Sequence, residues 1–509
     1  MYNSMLVRSF RRREQKQLKC MAFLCCFLIA LSFSTVLKPY LGPFQALNLQ
    51  LTVDVGGLKV LTVKEISNNI SQQKIKGNAI NSTSQHIFEN ISKPRRTVKN
   101  TVTSQLIVKP TTHISQPVIL EESAPKKIEP VCSMTKGSDF CEINDDIRID
   151  GSSATVFIAS ADQTAISAEN SSWIIRPYSR KYDRYVMKRV KEWSVISATS
   201  FEELPECNQN HSVPAVLFSN GGYAGNIFHD FSDIIIPLYV NSRQFNGEVK
   251  FVITNKQSWW IKKYRNILKL LSKYDVIDID NEEDVHCFRT GIIGLQRHDK
   301  ELNIDPSIST YSLKDFRQFI RSSFSLPKVA AIRMKDGEKR KPRLLIIARK
   351  RTRAFTNPEE IARMARKLGF EVVVTEASGD ISRFAETVNS CDVFLAVHGA
   401  AMTNMIFLPE NAVFIQVVPF GGFEWLARTD YEEPAKAMKL KYLEYKIKLE
   451  ESTLIQQYPL DHEVIRNPTK VGKQGWNVFR SVYMVKQNVK VDLNRFRSTL
   501  LKALELLGQ

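Results

Sequence analysis

Three ionisable side chains lie within one short segment, His229-Asp230-Phe231-Ser232-Asp233, at the start of a predicted helix. On a helix, His229 and Asp233 are four positions apart and share a face. One of the two can then orient the other for proton transfer, so His229, Asp233 and the adjacent Asp230 are candidate catalytic residues. The alternative is that both aspartates only complement the positive end of the helix while His229 is exposed to solvent.

A second set of polar residues follows four predicted strands in the C-terminal part of the chain. Open α/β sheets bind their ligands at the carboxyl ends of the strands. The four loops contain in turn Arg349, Lys350, Arg351 and Arg353; Glu376, Ser378 and Gly379; His398, Gly399, Ala400, Thr403 and Asn404; and Phe420, Glu424 and Trp425. Guanidinium groups, backbone N–H groups at a helix start and an aromatic ring suit a nucleotide diphosphate. The alternative is a solvated basic loop, a hydrogen-bonded core histidine and small residues that allow close packing.

These loops connect elements that alternate between strand and helix. Continuous apolar runs of strand length predict the strands Leu344–Ala348, Phe370–Thr375, Val393–Val397 and Ala412–Val418. One helix is predicted to begin after the capping residue Asn357, and a second, Ile381–Asn389, after the capping residue Asp380. Short connections between alternating strands and helices indicate a parallel, doubly wound sheet.

An earlier stretch repeats this alternation less regularly. Its predicted elements are the strand Ala215–Ser219, a helix Ile227–Tyr239 disturbed at Pro237, the strand Glu248–Thr254, the helix Ser258–Leu271 and the strand Asp275–Ile279. The glycine-rich loop 220–226 fits neither a phosphate loop nor a dinucleotide-binding motif. We therefore predict an α/β protein with two Rossmann-like domains facing a cleft, at residues 131–330 and 331–509, joined by a charged linker. The last helix, Asp492–Leu507, belongs to the second domain or packs back on the first.

The first 130 residues predict a membrane anchor and a tether. Residues 1–19 carry a net charge of +5 and precede eighteen uncharged residues, 20–37, which is near the minimum length for a membrane-spanning helix. This asymmetry of charge predicts a cytosolic amino terminus and a single-pass signal anchor. Residues 38–130 are rich in Asn, Ser, Thr and Gln without sustained periodicity, so we predict a lumenal stem of low order.

Glycosylation motifs and cysteines agree with a lumenal location. The motif Asn-X-Ser/Thr begins at Asn69, Asn81, Asn90, Asn170 and Asn210. The cysteines after the anchor are Cys132, Cys141, Cys207, Cys287 and Cys391. Their odd number leaves at least one unpaired within the monomer, and their pairing is left open. Cys132 and Cys141 could close a short disulfide loop in an oxidising lumen, and Cys391 is expected to be buried.

Charge and ligand spacing exclude other classes of function. The chain has 509 residues and a net charge of +18, of which +11 lies before residue 131. A nucleic-acid interface would instead combine Lys and Arg with aromatic residues along one folded face, so no nucleic-acid partner is predicted. No group of His and Cys residues has the spacing of a zinc site, so no structural metal is predicted. Asp278 and Asp280 could hold a divalent ion that bridges a diphosphate, although a solvated acidic turn is favoured.

Several separated motifs, in order along the chain, resemble glycosyltransferase family 61. They are GGYAGNIFHDFSD with the following IPL, DVHCFRTGIIGLQRHD, CDVFLAVHGAAMTN, FIQVVPFGG, YLEYKI and KQGW, and they extend from about residue 214 to the C-terminus. The similarity is strongest to plant Golgi enzymes that decorate xylan. Two departures from the family pattern lie beside the expected site: Asp230 and Ser232 stand in place of Glu and Asn, and Asn404 stands in place of His.

The resemblance implies a GT-B fold, an inverting mechanism with no required metal, and a type II protein of the Golgi membrane whose catalytic part is lumenal. It implies UDP-arabinofuranose or UDP-xylose as donor, xylan as acceptor, and other Golgi transferases as further partners. Two alternatives stay open. One is a non-catalytic, glycan-binding scaffold in a xylan synthase complex, and the other is a transferase of xylose or GlcNAc onto a glycoprotein.

The resemblance also implies roles for the candidate residues. Asp233 is the first choice for the base that deprotonates the acceptor, and His229 is the second. Arg349 and Arg353, with the turn 399–401, are expected to stabilise the leaving UDP. His398 is expected to bind the diphosphate or the ribose, and Trp425 or Phe420 to form an apolar wall.

Overall fold

The computed structural model describes residues 132–159, 172–198, 200–334, 340–377 and 379–509. The predicted cytosolic tail, membrane anchor and stem, with the motifs at Asn69, Asn81, Asn90 and Asn170, lie outside these residues. Within the described part of the chain, no helix has the length and hydropathy needed to cross a bilayer.

The described residues form seventeen strands and a series of mostly short helices. The strands are β1 Cys132–Met134, β2 Asp139–Ile143, β3 Asp146–Asp150, β4 Thr155–Ala159, β5 Ser172–Ile175, β6 Trp193–Ser197, β7 Gln209–His211, β8 Ala215–Ser219, β9 Lys250–Thr254, β10 Ile277–Asp278, β11 His286–Phe288, β12 Gly291–Ile293, β13 Arg343–Ile347, β14 Glu371–Thr375, β15 Val393–Val397, β16 Val413–Val418 and β17 Lys441–Lys446. The α-helices are α1 Arg184–Met187, α2 Ile227–His229, α3 Ile236–Ser242, α4 Ser258–Lys263, α5 Arg265–Leu271, α6 Leu313–Ser323, α7 Pro358–Lys367, α8 Ile381–Asn389, α9 Glu424–Ala427, α10 Glu433–Ala437, α11 Glu463–Arg466, α12 Pro468–Lys473, α13 Trp476–Phe479 and α14 Leu493–Gly508. Wider π-helical turns occupy Asp230–Ile235, Arg428–Glu432 and Arg480–Val485, and the tighter 3-10 turns include Ala400–Phe407.

Five parallel strands form the sheet of the C-terminal half, in the order β14-β13-β15-β16-β17. The four predicted strands are confirmed to within one residue at either end, and β17 is an additional edge strand. Numbered within the sheet, the order is 2-1-3-4-5, so the direction of winding reverses between β13 and β15. Such a reversal opens a crevice at the carboxyl ends of the two strands, and ligands of doubly wound sheets bind there.

Two predicted helix caps in this half have different outcomes. Asp380 caps α8 as predicted, because its side chain accepts hydrogen bonds from the backbone of Ser382 and Arg383. Asn357 occupies the predicted cap position of α7 and its amide donates to the Glu360 side chain at 3.2 Å, but it accepts no hydrogen bond from the backbone of the first turn. Its amide instead exchanges two hydrogen bonds with the backbone of Val491, at 2.9 and 3.1 Å, and so ties α7 to the segment before the last helix.

The main sheet of the N-terminal half is mixed. Its order is β1-β2-β12-β8-β9-β10, with β12, β8, β9 and β10 parallel and β2 and β1 added antiparallel. The helix predicted at 227–239 is present and extends to Ser242, as α2, a π-helical turn that ends just before Pro237, and α3. Pro237 lies at the start of α3, where its missing N–H is tolerated. The predicted helix 258–271 is divided at Tyr264 into α4 and α5.

A second six-stranded sheet, β5-β6-β4-β3-β11-β7, packs on one face of this main sheet. The core between them contains Ile147, Val156 and Trp193 of the second sheet and Leu217 and Val252 of the first. A doubly wound domain would carry helices on both faces. The N-terminal half is therefore Rossmann-like on its helical face only.

The two halves share one hydrophobic core. The ring of Phe407, from the C-terminal half, lies 6.4 Å from that of Phe231 and 5.4 Å from that of Phe324, both from the N-terminal half. Arg317 of α6 is buried and donates hydrogen bonds to the backbone carbonyls of Leu408 and Met438 across the same boundary. The boundary near residue 330 therefore separates stretches of sequence whose side chains pack together.

The last helix, α14, and the cysteines complete the scaffold. Phe496 and Leu500 of α14 pack into the core of the C-terminal half, against α7 and the parallel sheet. Disulfides join Cys132 to Cys141 and Cys207 to Cys287, and Cys391 is a buried free thiol. The suggested short loop 132–141 and the buried position of Cys391 are thus confirmed. Asn210 is exposed on β7, the edge strand of the second sheet.

Candidate active site

Two arginines lie side by side in the crevice between β13 and β15. Gly399 follows β15, and a Cβ added to it would lie 2.3 Å from Nη1 of Arg349 and 3.0 Å from Nη2 of Arg353. Nη1 of Arg349 and both Nε and Nη1 of Arg353 are buried without a hydrogen-bond partner among the described residues. Burial, together with the charge of Arg349, lowers the pKa of Arg353 to about 9. Two adjacent cations, one buried and one half-buried, with buried donors that are free of partners are suited to an anion that accepts several hydrogen bonds.

The loop carrying these arginines is held by a residue that the sequence patterns did not indicate. Arg353 has a left-handed backbone, φ +48°, and its N–H donates to the carbonyl of Gln487 at 2.8 Å. The buried side chain of Gln487 accepts a hydrogen bond from the N–H of Phe420 at 2.9 Å and donates to the Phe420 carbonyl at 2.8 Å. Gln487 therefore joins the loop after β13 to the loop after β16.

His398 is buried at the end of β15, and a chain of hydrogen bonds sets its tautomer. The amide Nε2 of Gln416 donates to His398 Nδ1 at 2.8 Å, and the hydroxyl of Tyr442 donates to Gln416 Oε1 at 2.9 Å. Since Nδ1 accepts, the ring proton is on Nε2. Burial, reinforced by the charges of Arg353 and Arg349, holds the pKa of His398 well below its ordinary value. His398 is therefore a neutral hydrogen-bond donor beside the two arginines.

The remaining predicted residues of this half lie around that centre. Gly399 precedes the 3-10 turn with φ +146°, and its carbonyl accepts a hydrogen bond from Tyr431 at 2.9 Å. Ala400 is half-buried at the start of the turn. Thr403 and Asn404 are buried inside it, and the amide of Asn404 donates to the Ala401 carbonyl at 2.8 Å.

The loop after β16 contains three predicted residues, Phe420, Glu424 and Trp425, in different surroundings. Glu424 forms an ion pair with Lys446 of β17, and Trp425 on α9 has 63% of its surface exposed. The half-buried Phe420 is nearer to the arginine loop, because Gln487 fixes its backbone. Phe420 is accordingly the better placed of the two candidates for an apolar wall, a role that stays a prediction.

The predicted pairing of His229 with Asp233 is present in the N-terminal half. Nδ1 of His229 lies 3.0 Å from Oδ2 of Asp233. Asp233 is fully buried and also accepts hydrogen bonds from the hydroxyl of Tyr178 at 2.9 Å and from Nη1 of Arg180 at 2.7 Å. His229 retains 15% of its side-chain surface. The carboxylate is thus occupied by donors of its own half, while the histidine ring reaches the surface.

Asp230 takes a structural position. Its fully buried carboxylate accepts hydrogen bonds from the N–H of Gly225 at 2.8 Å, Nε1 of Trp260 at 2.9 Å and the hydroxyl of Tyr264 at 2.7 Å. Lys263 Nζ lies 3.2 Å away as its counter-ion. Asp230 therefore fastens α4 to the glycine-rich loop instead of facing the crevice.

Tyr431 lies between the residues around the arginine pair and those around the His229–Asp233 pair. Its ring lies 5.4 Å from that of His398 and 6.0 Å from that of Phe228, the residue before His229. The carboxyl of Asp430, next to it in a π-helical turn, has its pKa raised to about 7 by burial and by the charge of Glu301 in the other half. One tyrosine thus packs against both His398, beside the arginine pair, and Phe228, next to His229.

Comparison with known proteins identifies the chain at the level of its family. The family model described as Glycosyltransferase 61 matches residues 298–415. The chain is 43% identical over 385 residues to the beta-1,2-xylosyltransferase XYXT1 of Oryza sativa subsp. japonica, a match that covers 73% of this chain and 82% of that protein. The chain belongs to glycosyltransferase family 61.

Other family relatives extend the comparison. The alpha-1,3-arabinosyltransferase XAT2 of the same rice is 44% identical over 386 residues, which are 75% of this chain and 65% of the length of that protein. The xylan glycosyltransferase MUCI21 of Arabidopsis thaliana is 34% identical over 385 residues, which are 72% of this chain and 77% of that protein. A solved structure, the CurK enoyl reductase, is 13% identical, covers 49% of this chain and 85% of that chain, and has a TM-score of 0.13, too low to indicate a shared fold.

The suggested metal ligands have other partners in this family 61 chain. Asp280 accepts hydrogen bonds from Thr254 and Asn255 and pairs with Lys191 at 2.9 Å. Asp278 pairs with Lys256 at 3.2 Å. No group of three His, Cys, Asp or Glu residues with the arrangement of a metal site occurs in the residues that the structure describes.

Several site residues escaped the sequence patterns for identifiable reasons. Gln416 offered a signal, because it is a polar residue inside the otherwise apolar strand VFIQVV and a buried amide needs partners. Tyr178 and Arg180 gave none, since they precede Asp233 by more than fifty positions and lie in an irregular segment. Gln487 likewise follows a π-helical turn that no periodicity predicts.

Proposed function

We propose that this protein is an inverting glycosyltransferase that moves a pentose, arabinofuranose or xylose, from a UDP-sugar onto xylan. The observation that carries the proposal is the pair of adjacent arginines against the turn at Gly399, whose buried guanidinium donors have no partner among the described residues, together with the His229–Asp233 pair of the other half. A nucleoside diphosphate supplies the anion that the free guanidinium donors require. The relatives named as rice arabinosyl- and xylosyltransferases and as a xylan glycosyltransferase support the choice of sugar and acceptor.

In the proposed reaction an acceptor hydroxyl oxygen attacks the anomeric carbon from the face opposite the diphosphate. The bond between that carbon and the diphosphate oxygen breaks, the electron pair leaves with UDP, and the configuration inverts. Arg349 and Arg353 stabilise the charge that grows on the leaving phosphate. His398 donates a hydrogen bond from its Nε2–H group to an oxygen of the diphosphate or of the ribose. No protein-bound metal is required in this scheme, because the guanidinium groups supply the positive charge.

We assign the general base to His229 and make Asp233 its positioning residue. The buried Asp233 accepts from Tyr178 and Arg180 as well as from the histidine, so most of its acceptor positions are already engaged by the protein. The bond to Asp233 places the proton of His229 on Nδ1 and leaves Nε2 with a free lone pair. Nε2 takes the acceptor proton, and the charge of Asp233 stabilises the imidazolium that forms.

A donor panel with purified enzyme tests the proposal. UDP-arabinofuranose, UDP-xylose and UDP-GlcNAc are each incubated with xylohexaose, and the linkage of any product is determined by NMR. We expect transfer of a pentose that persists in EDTA. Transfer of GlcNAc to a glycopeptide, or binding of xylohexaose without transfer from any donor, would replace the proposal with one of the two alternatives.

Two variants then test the assigned roles. His229→Ala should lower the transfer rate by a factor of about 10² to 10⁴ with unchanged affinity for UDP. Arg349→Ala should weaken UDP binding, while Arg351→Ala, an exposed arginine of the same loop, should leave it unchanged. A wild-type rate in His229→Ala contradicts the base assignment, and equal UDP affinities of the two arginine variants contradict the proposed contact with the diphosphate.

We further propose a GT-B arrangement and a type II topology in the Golgi membrane, with other Golgi transferases as partners. The parallel sheet of the C-terminal half, whose winding reverses between β13 and β15, and the second α/β half that packs against it support the GT-B arrangement. The basic segment 1–19 before the apolar residues 20–37, and the five glycosylation motifs after them, support the topology. Removal of N-glycans by endoglycosidase, together with co-localisation with a Golgi marker, tests both location and orientation.

A further inference from the structure

A tryptophan is exposed beside the loop that leads to His229. Trp259, on α4, has 48% of its surface exposed. The tip of its indole lies against Gly225, where an added Cβ would be 3.2 Å from Cη2. Gly225 has φ +99°, a conformation that glycine adopts without strain. The glycine thus allows a large aromatic ring to lie directly on the backbone three residues before Phe228.

The position of Trp259 is set by buried hydrogen bonds. Its neighbour Trp260 donates to Asp230 at 2.9 Å, and Tyr264 at the end of α4 donates to the same carboxylate at 2.7 Å. The N–H of Gly225 donates to Asp230 as well, at 2.8 Å. One carboxylate therefore fixes both the helix that bears Trp259 and the loop on which the ring rests. An exposed ring that is already held in place loses little further conformational entropy when it binds a ligand.

A second aromatic residue, Tyr223, lies in the same loop as Gly225 and contacts the proposed base. The ring of Tyr223 lies 4.5 Å from that of His229. Its hydroxyl donates to Asp183 at 3.0 Å, and its N–H donates to the hydroxyl of Tyr178 at 3.2 Å. Tyr223 is half-buried, so part of its surface remains accessible. Tyr223 lies in the short loop that leads into α2 and His229, and Trp259 rests on Gly225 of the same loop; we name these two residues the aromatic subsite.

We propose that the aromatic subsite binds the pyranose rings of the acceptor chain next to the unit that receives the new sugar. This inference rests on the proposed function, since it assumes that His229 marks the place where the acceptor hydroxyl is deprotonated. Xylose units in a β-linked chain present flat faces of C–H bonds, which pack on aromatic rings with large loss of apolar surface to water. The nucleotide anion belongs to the other half, at the arginine pair, so the occupant of the aromatic subsite is the neutral polysaccharide.

Kinetics with acceptors of different length test the assignment in the full-length protein. Trp259→Ala should raise the KM for xylohexaose about tenfold and leave the affinity for UDP and the rate of UDP-sugar hydrolysis unchanged. Trp259→Phe should recover most of the loss, because a ring is restored. Tyr274→Ala is the control, an exposed aromatic residue of the same half that lies before β10, at the opposite end of the strands. It should stay within twofold of wild type.

Calorimetry with xylohexaose separates this inference from the proposed function. If wild type transfers no sugar yet binds xylohexaose, and Trp259→Ala binds it about tenfold more weakly, the subsite stands and the catalytic proposal fails. An unchanged KM and an unchanged binding constant in Trp259→Ala overturn the subsite. Weaker UDP binding in that variant, or preference of the wild type for a glycopeptide over xylohexaose, also overturns it.

Discussion

The substitution Gly399→Ala, compared with a matched control, distinguishes an effect on anion binding from an effect on the stability of the fold. The new methyl group would lie 2.3 Å from Nη1 of Arg349 and 3.0 Å from Nη2 of Arg353. An ordinary carbon contact is at least about 3.5 Å, so the guanidinium of Arg349 must move by about 1 Å. The end of an arginine side chain can move that far without unfolding the protein. The displaced guanidinium of Arg349, however, no longer lies beside the turn 399–401, where we expect the diphosphate to bind.

The expected size of the effect follows from the contact that is lost. A hydrogen bond between a guanidinium and a phosphate contributes about 1.5–3 kcal/mol. Loss of one such bond weakens UDP binding by about 10- to 150-fold. The positive φ of +146° adds a conformational cost to the folded state, because a residue with a Cβ rarely adopts it. Titration calorimetry with UDP measures the first effect, and urea denaturation measures the second.

Gly369→Ala is the matched control. Gly369 also has a positive φ, +102°, but no atom lies within 4 Å of an added Cβ. The control should therefore lose stability, by about 1–2 kcal/mol, and keep its affinity for UDP. If Gly399→Ala binds UDP as tightly as Gly369→Ala, the arginines are not held against an anion by this turn, and the reasoning about the crevice is refuted.

Three further predictions concern the scaffold, each measured by urea denaturation. Burial and the charge of Glu301 raise the pKa of Asp430 to about 7; the stability from its protonated form is full below about pH 4 and is lost as the pH rises to 7. Asp430→Asn should therefore gain about 2–4 kcal/mol over wild type between pH 4 and pH 8, and a constant difference contradicts this. Arg317→Met should cost about 2–4 kcal/mol, because two buried carbonyls lose their donors, and a neutral result would mean that water replaces them. Removing the Cys207–Cys287 disulfide, which joins residues 80 positions apart, should cost a similar amount, and an unchanged unfolding midpoint would show that the bond does not constrain the unfolded chain.

The predictability of the fold followed the burial of each strand. The strands β13, β15 and β16 are apolar except for Arg343 and Gln416, since both of their faces are covered, and their sequences predicted them directly. The edge strand β17, KYLEYK, alternates charged and aromatic residues and resembles a solvated segment. The second sheet of the N-terminal half escaped prediction for a different reason. Its strands are short, and their stability comes from packing on the main sheet, which the sequence pattern does not show.

The site was predictable where its chemistry is local. The spacing of His229 and Asp233 on one helix turn, and the arginines after β13, could be read directly from the chain. Which member of the pair is free to accept a proton depends on Tyr178 and Arg180, which only folding brings to Asp233. Asp230 was a candidate catalytic residue by its position, and folding surrounds its carboxylate with the donors of Gly225, Trp260 and Tyr264. Sequence spacing shows which groups can meet, whereas the environment decides what each of them can do.

The common core of the two halves limits how this protein can be recombined with its relatives. Phe231, Phe324 and Phe407 meet at the boundary, so exchanging only the C-terminal half, to which we assign the nucleotide, would bring together rings from different sequences in the shared core. A chimera made to transfer donor preference should therefore exchange the loops after β13, β15 and β16 and keep the strands and α6. For the same reason, we expect that the proposed donor specificity can change by substitution at the crevice more readily than by exchange of whole halves.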